Sequence, residues 1–221
     1  MSKKIYLFSL VLLALAFTAC SETETVDKYD NWRSRNESFI DSLANVFEAG
    51  TDPLLLRIKV EQGNDYIYYK TKTPITVNSV HTEVLGEKPT STAVVKAFYK
   101  GTNILGERFD GFEGADPVDG DSNASQPDTP PVSFDLSGSV IEGWKEAIPH
   151  MKVGERWLIY IPWKYCYGST GNSNTTLIPG YSALIFDIQL LDADSLPVSE
   201  PVWAWAKDLF CPEFWAGAVR P

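Results

Sequence analysis

Six short segments between residues 54 and 191 alternate between the two faces of a half-buried sheet and are rich in β-branched and aromatic residues. Clusters of Gly, Pro, Asn and Asp separate them, as expected for strands joined by turns. Within this central region, only Ile141 to Met151 has helical spacing, with Trp144 and Ile148 on one face. Because an antiparallel sheet needs one face covered, the pattern predicts an α+β domain whose sheet wraps around one short α-helix. The six segments are LLLRIKV, DYIYYKTK, STAVVKAFYK, VSFDL, ERWLIYIP and SALIFDIQLL.

An apolar run over residues 5–17 predicts export. It follows two lysines and is shorter than the roughly 20 residues that a membrane-spanning helix needs, as in a secretory signal peptide. It leads into Thr18-Ala19-Cys20, which resembles the bacterial lipobox, where the cysteine carries lipid and begins the mature chain. Residues 1–20 are therefore interpreted as a lipoprotein signal peptide, with Cys20 as the lipidation site and a membrane as partner through that anchor. An ordinary cleaved signal peptide is the alternative.

The mature chain is predicted to be strongly acidic. The sequence carries 19 basic and 29 acidic side chains, and residues 1–20 remove two lysines and no acid, which leaves a net charge of −12. Such a surface disfavours nucleic acid as a partner. The acidic segment SETETVDKYD after Cys20 predicts a solvated tether and is similar to the start of some surface lipoproteins of the Bacteroidetes. We therefore expect a lipid-anchored protein of a bacterial cell envelope, with the outer membrane as the anchored bilayer.

Residues 27–47, DKYDNWRSRNESFIDSLANVF, place apolar side chains at mostly helical spacing and precede a Gly stop signal. The tether and this amphipathic helix together form residues 21–50. Two interpretations fit the helix: it packs against its own domain, or it dimerises the chain or docks clients. The oligomeric state stays open.

Seven short motifs occur in a fixed order between residues 99 and 188. They are YKG at 99–101, G-x-x-FD at 106–110, VIxGW at 140–144, MxxGE at 151–155, YxYG at 165–168, IP at 178–179 and LIFDI at 184–188. In this order and spacing they resemble the FKBP family of peptidyl-prolyl cis-trans isomerases. The resemblance implies the FKBP-like fold for residues 51–193, which leaves residues 194–221 as a tail rich in Pro and Trp.

The resemblance also implies a prolyl-binding pocket with Trp144 as its floor. It implies that the backbone N–H of Ile141 and the hydroxyl of Tyr167 bond the carbonyl groups of the substrate, while Asp110 orders the polar side; these are the predicted catalytic residues. One family position near the pocket entrance falls on Val132 or, if the gap shifts, on Phe134. The predicted substrate-binding residues are Tyr99, Phe109, Val140, Trp144, Leu177, Ile178 and Phe186.

The implied activity is isomerisation of X-Pro bonds in proline-containing polypeptide clients, in support of the folding of exported proteins. Resonance gives the amide a rotation barrier of roughly 18 to 20 kcal/mol. A twisted amide loses that resonance and becomes less polar, so an apolar pocket that excludes water favours it without an acid or base. Macrolide-type inhibitors are possible ligands of the same pocket. The alternative is a non-catalytic chaperone or client-binding module that uses this pocket.

The sequence contains no other group of residues that predicts a metal site or a catalytic triad. His81 and His150 are too few and too isolated for a zinc site, and no Ser-His-Asp order is present, so neither a metal nor another cofactor is expected. Cys166 and Cys211 remain after lipidation in an oxidising compartment, and either a disulfide or two free thiols fits them. The tail either packs on the sheet, has no evolved role, or offers its Leu-Pro dipeptide at 196–197 to the pocket as a ligand in cis.

Overall fold

The computed structural model describes residues 27–74, 87–112, 130–138 and 140–194. The predicted signal peptide with Cys20, residue His81, and the tail from residue 195 with Cys211 lie outside the described residues. The chain divides into two compact units, residues 1–31 and 32–221. In the first unit, residues 28–31 form a turn. The following paragraphs concern the second unit.

Seven strands form one antiparallel sheet within the described residues. The order across the sheet is β1-β2-β6-β7-β3-β4, and β5 pairs with β3 on the same edge as β4. Each of the six predicted segments corresponds to a strand. The strands are β1 (Leu56–Lys59), β2 (Tyr66–Lys72), β3 (Val94–Asn103), β4 (Arg108–Gly111), β5 (Val132–Asp135), β6 (Arg156–Ile161) and β7 (Leu184–Ala193).

One face of the sheet is covered by a short helix, α2 (Glu142–Ala147), and the 3-10 turn Ile148–His150 that continues it. Pro149 lacks a backbone N–H and therefore ends the α-helical pattern. Trp144, Ala147 and Ile148 are buried against the central strands, where Ile159 and Ile188 are fully buried. The predicted α+β architecture, an antiparallel sheet around one short helix, is confirmed.

The N-terminal helix α1 (Trp32–Ala49) belongs to the same compact unit as the sheet. It ends where Gly50 adopts a positive φ of 62°, and the Gly50 and Thr51 amides bond back to the carbonyls of Phe47 and Val46. The rings of Phe39 and Tyr160 lie 6.0 Å apart. These contacts agree with the interpretation that the helix packs against its own domain.

A buried ion cluster joins β2, β6 and β7. Arg156 donates to both carboxylate oxygens of Asp187 at 2.7 and 2.6 Å, and Lys72 reaches the same carboxylate at 3.0 Å. A buried charge is tolerated only when it is paired, and this bidentate geometry satisfies the carboxylate. The cluster therefore ties together the strands that support the site described next.

Among residues 27–74, 87–112, 130–138 and 140–194, no helix combines the length and the apolar character that crossing a bilayer requires.

Candidate functional site

A cavity of about 230 Å³ opens between α2, β7 and the edge of the sheet formed by β3, β4 and β5. We call it the site cavity. It brings together eight of the ten predicted site residues and adds Phe134. Its lining residues are Tyr99, Phe109, Asp110, Phe134, Val140, Ile141, Trp144, Tyr167 and Phe186.

Trp144 lies at the centre of the aromatic wall and is 4% exposed. Its ring meets three others edge to face, those of Phe134 at 4.8 Å, Phe186 at 5.3 Å and Tyr99 at 5.5 Å between centroids. Phe109 meets Phe186 in the same way at 5.7 Å. Edge-to-face contacts of this kind fix each ring relative to its neighbour. The wall is therefore a rigid apolar surface.

The polar side of the cavity consists of Tyr99 and Asp110. Burial raises the pKa of the Tyr99 hydroxyl well above its usual value, and the hydrogen bond that this hydroxyl donates to the Asp110 carboxylate adds to the rise. The backbone N–H of Gly111 donates to Asp110 Oδ1 at 2.8 Å. Gly111 has a φ of 88° and packs against the Tyr99 carbonyl, where a side chain would collide. This glycine lets β4 turn closely over β3 and carry the carboxylate to the cavity.

Tyr167 lies two residues after the short 3-10 turn Trp163–Tyr165 that follows β6. The turn is held by the Gly168 amide, which donates to the Trp163 carbonyl at 3.1 Å. Burial raises the pKa of the Tyr167 hydroxyl, while a hydrogen bond with the Asn172 side chain acts in the opposite direction. With 36% of the residue exposed, this neutral hydroxyl remains accessible to a ligand at the rim of the cavity.

Ile141 precedes α2 as its N-cap residue, in an extended conformation with φ −61° and ψ 148°. Its carbonyl accepts the Trp144 amide at 3.0 Å. The N–H of an N-cap residue has no role in the helical hydrogen-bond ladder. The backbone donor of Ile141 thus stands beside the apolar wall, as the resemblance implied, and its role in binding stays a prediction.

Two predicted substrate-binding residues do not line the site cavity. Ile178 is 1% exposed and packs in the hydrophobic core. Leu177 lies beside it, and its carbonyl accepts a hydrogen bond from the side chain of Asn103 at 3.1 Å. At the entrance, Phe134 lines the cavity, whereas Val132 is 42% exposed. Pairing of Phe134 with Val95 of β3 sets this register.

Cys166, next to Tyr167, is a free thiol whose Sγ donates to the Ile161 carbonyl oxygen at 3.7 Å. Burial raises the pKa of this thiol, so it is neutral at physiological pH. A neutral thiol is a poor nucleophile. The structure therefore gives Cys166 a buried contact, while Cys211 lies outside the described residues, so the choice between a disulfide and two free thiols is not tested.

A larger cavity of about 380 Å³ lies between α1, the turn that joins β1 to β2, and the residues after β6. We call it the helix groove. Two of its three acidic residues, Asp65 and Glu37, are paired with Lys164 and Arg33, each at 2.9 Å. Within the part of the chain that the structure describes, its rings of Tyr66, Tyr68 and Trp163 do not pack on one another as the rings around Trp144 do. The smaller cavity is therefore the better candidate site. The lining residues are Glu37, Ile40, Asp41, Ala44, Asn64, Asp65, Tyr66, Tyr68, Pro162, Trp163 and Lys164.

Comparison with known proteins relates both the fold and the site motifs to one family. A family model described as FKBP-type peptidyl-prolyl cis-trans isomerase matches residues 86–191. The chain is 34% identical over 126 residues to FK506-binding protein 2 of Emericella nidulans, a match that covers 56% of this chain and 82% of that protein. The chain therefore belongs to the FKBP family.

Two further matches concern bacterial FkpA. The chain is 35% identical over 115 residues to the FKBP-type peptidyl-prolyl cis-trans isomerase FkpA of Escherichia coli, which covers 52% of this chain and 36% of that protein. The crystal structure of FkpA from Escherichia coli is similar at a TM-score of 0.50 and 25% identity, over 87% of this chain and 73% of that chain. In sequence, the chain spans about a third of the length of the FkpA relatives that it matches.

Proposed function

We propose that this chain is a peptidyl-prolyl cis-trans isomerase that acts on proline-containing polypeptides. The observation that carries the proposal is the site cavity, in which a rigid aromatic wall around Trp144 faces polar groups on one side only. A proline ring packs on the wall, and the peptide bond before it lies next to the polar side. Family membership supports the same activity.

The chemistry requires neither proton transfer nor a nucleophile. An X-Pro bond isomerises unaided in tens to hundreds of seconds because its resonance resists rotation. Water stabilises the polar planar amide more than the twisted one, so exclusion of water by the aromatic wall lowers the barrier to twisting. The Ile141 N–H and the Tyr167 hydroxyl hold the flanking carbonyls while the bond rotates. Each further stabilisation of the twisted form by about 1.4 kcal/mol raises the rate about tenfold.

A protease-coupled assay tests this function. The substrate is a tetrapeptide with Leu before Pro whose trans form alone is cleaved, and the rate of the slow phase is measured with increasing amounts of the full chain. We expect the slow phase to accelerate in proportion to the protein, and a macrolide-type inhibitor to suppress that acceleration. A peptide that binds without any acceleration would instead identify a non-catalytic client-binding module.

We further propose that the protein is exported, anchored through lipid on Cys20 to a bacterial envelope membrane, the outer membrane by our interpretation, and assists the folding of exported proteins. The pattern of residues 1–20 supports the anchor. Cells grown with labelled fatty acid should incorporate label into the wild-type chain and none into Cys20→Ala. Unlabelled wild-type protein found wholly in the soluble fraction contradicts the anchor and leaves the isomerase proposal untouched.

A further inference from the structure

The deepest contacts of α1 are made by its first turn. Trp32 is 6% exposed and Asn36 is fully buried, and they are the buried residues of the helix. Asn36 Oδ1 accepts the backbone N–H of Ala183 at 2.8 Å, and its amide group donates to the Trp32 carbonyl at 2.7 Å. Trp32 Nε1 donates to the hydroxyl of Ser182 at 2.8 Å. Two buried polar side chains thus connect α1 to the residues that precede β7.

Tyr181 and Ser182, which precede β7, are in turn hydrogen-bonded to the segment that follows Tyr167. Ser182 Oγ donates to the Pro179 carbonyl at 2.5 Å, and the Tyr181 amide donates to the Gly168 carbonyl at 2.9 Å. Tyr181 has a φ of 65°, which is strained for a residue with a side chain. Such a conformation persists only where its surroundings hold it.

The Tyr181 ring is held on both sides. The Arg33 guanidinium of α1 lies 4.7 Å from its centroid, and the Trp163 ring packs edge to face at 4.8 Å. Trp163 belongs to the turn before Tyr167, and Gly168 comes immediately after it. Tyr181 therefore contacts both Trp163, four residues before Tyr167, and Gly168, the residue directly after it.

The segment between Gly168 and Gly180 is also closed on itself. The Gly171 amide donates to the Tyr167 carbonyl at 3.2 Å, and the Asn172 amide donates to the Ile178 carbonyl at 3.0 Å. Because these bonds limit internal adjustment, a displacement of residues 181–183 is transmitted to Tyr167. We call residues 168–183 the site loop.

We propose that Trp32 and Asn36 are positioning residues that fix the site loop and thereby the Tyr167 hydroxyl. The inference rests on the proposed isomerase function, because it assigns α1 a part in that activity. It also explains why the helix buries a tryptophan and an asparagine at its start while its apolar stripe is only half-buried. The helix is then a supporting element of the site.

Activity measurements on the full chain form the first test. Asn36→Leu keeps a similar side-chain volume but leaves the Ala183 N–H without its acceptor. Trp32→Phe removes the indole N–H donor together with part of the buried ring. We expect each to lower kcat/KM by about tenfold. Asn45→Leu is the matched control, since Asn45 is exposed on the same helix, and it should stay within about twofold of wild type. Should Asn36→Leu fail to fold, Trp32→Phe carries the test alone.

A double-mutant cycle separates positioning from general support of the fold. In a Tyr167→Phe background the hydroxyl is gone, so Trp32→Phe has nothing left to misplace. We expect its further effect on kcat/KM to be under about twofold there. An equal loss in both backgrounds overturns the inference, because it shows that Trp32 acts independently of that hydroxyl.

Amide hydrogen exchange gives a readout that does not depend on activity. In Trp32→Phe, the amides of Gly171, Asn172 and Tyr181 should exchange at least about tenfold faster, with those of β6 and β7 unchanged. Unchanged exchange in the site loop overturns the inference even if the wild-type chain is active. If the wild type catalyses no isomerisation, the proposed function fails, and the exchange data still decide whether α1 fixes the site loop.

Discussion

Of the two cavities described in the compact unit, the larger is the poorer candidate site. The helix groove has about 380 Å³ and the site cavity about 230 Å³. In the groove, charged side chains pair with one another across an open surface, as Asp65 does with Lys164. In the site cavity, rings pack edge to face around a buried tryptophan, and the polar groups gather along one side. A cavity in which a few polar groups converge beside a rigid apolar wall is a better candidate for a binding site than a cavity that is merely larger.

The environment of the polar groups explains this difference. A hydroxyl or carboxylate beside an apolar wall is partly shielded from water, so a hydrogen bond made there is stronger than one made on an open surface. The half-buried Tyr99 hydroxyl has that environment, although its partner Asp110 is exposed. The side chains of Arg33 and Glu37 are 59% and 42% exposed, and such a pair contributes little net energy. A substitution in the site cavity, paired with a control substitution in the helix groove, can therefore test this difference between the two cavities.

The largest expected effect follows from truncation of Trp144, which lies at the centre of the aromatic wall of the site cavity. Trp144→Ala deletes a buried ring that touches three other rings, and we expect the free energy of unfolding to fall by about 3 to 5 kcal/mol. Ile40→Ala in the helix groove removes a half-buried side chain and should cost less than about 1.5 kcal/mol. Urea denaturation measures both. Equal losses would remove the energetic distinction between the cavities.

The next effect concerns catalysis rather than stability. Asp110→Val removes a hydrogen-bonding group from the polar side of the site cavity, and Tyr167→Phe removes one from its rim. We expect each to lower turnover of a Leu-Pro peptide by about one to two orders of magnitude. Both residues are at least partly exposed, so the urea midpoint should change little. Asp41→Val, on the exposed face of the helix groove, is the control and should retain turnover. Wild-type turnover in both site variants would show that the polar side is misassigned.

The next prediction compares the effect of an added Cβ atom at two glycines, one beside the aromatic wall and one in the turn between β1 and β2. A Cβ at Gly101 would lie 2.5 Å from Phe109 Cζ and 2.9 Å from Phe186 Cε1, both in the aromatic wall. Gly101→Ala should therefore displace these rings, lower the free energy of unfolding by about 1 to 3 kcal/mol and reduce turnover. A Cβ at Gly63 would meet only the Tyr165 hydroxyl at 2.6 Å, the mobile end of a side chain next to Asp65. Gly63→Ala should leave turnover intact, and a loss there equal to that of Gly101→Ala would contradict the assignment.

Much of the fold was predictable because it depends on local patterns. The period-two alternation located six strands, and the spacing of Trp144 and Ile148 located the helix that covers them. The sequence did not indicate β4 (Arg108–Gly111), because Phe109 is its only apolar side chain and one apolar residue shows no alternation. The motifs also contain the residues that the structure brings together as the aromatic wall, Tyr99, Phe109, Trp144 and Phe186, although some motifs contribute one residue to the cavity and others none.

What the sequence could not predict depends on register and on long-range contacts. Val132 and Phe134 are two residues apart, so both point to the same side of a strand, and only pairing with Val95 determines which one lies in the cavity. Ile178 stands next to Pro179 in a matching motif, yet the motif does not give the direction of its side chain, which is buried in the core. Asn36 is buried because of a single amide far along the chain, and no periodicity of apolar residues indicates such a contact.

The smallest expected effect is a difference in alkaline stability between a tyrosine of each cavity. The pKa of Tyr99 is raised by burial and further by Asp110, whereas that of Tyr68 is raised by burial but opposed by Arg57. A raised pKa in the folded state means that the stability contribution is complete below the usual tyrosine value of about 10 and is lost as the pH rises toward the folded-state pKa. Both tyrosines therefore destabilise the protein at alkaline pH, and Tyr99 does so more strongly.

Urea denaturation from about pH 8 to about pH 11 measures this difference. Replacement of Tyr99 by Phe should flatten the alkaline decline in the free energy of unfolding by less than about 1 kcal/mol per pH unit, because solvent partly screens the half-buried hydroxyl. Tyr68→Phe should flatten it less. The larger flattening expected of Tyr99→Phe depends on the carboxylate next to Tyr99. In an Asp110→Val background, the difference in flattening between Tyr99→Phe and Tyr68→Phe should therefore be smaller. A larger effect from Tyr68 in the wild-type background would place the stronger electrostatic coupling in the helix groove and reverse the comparison.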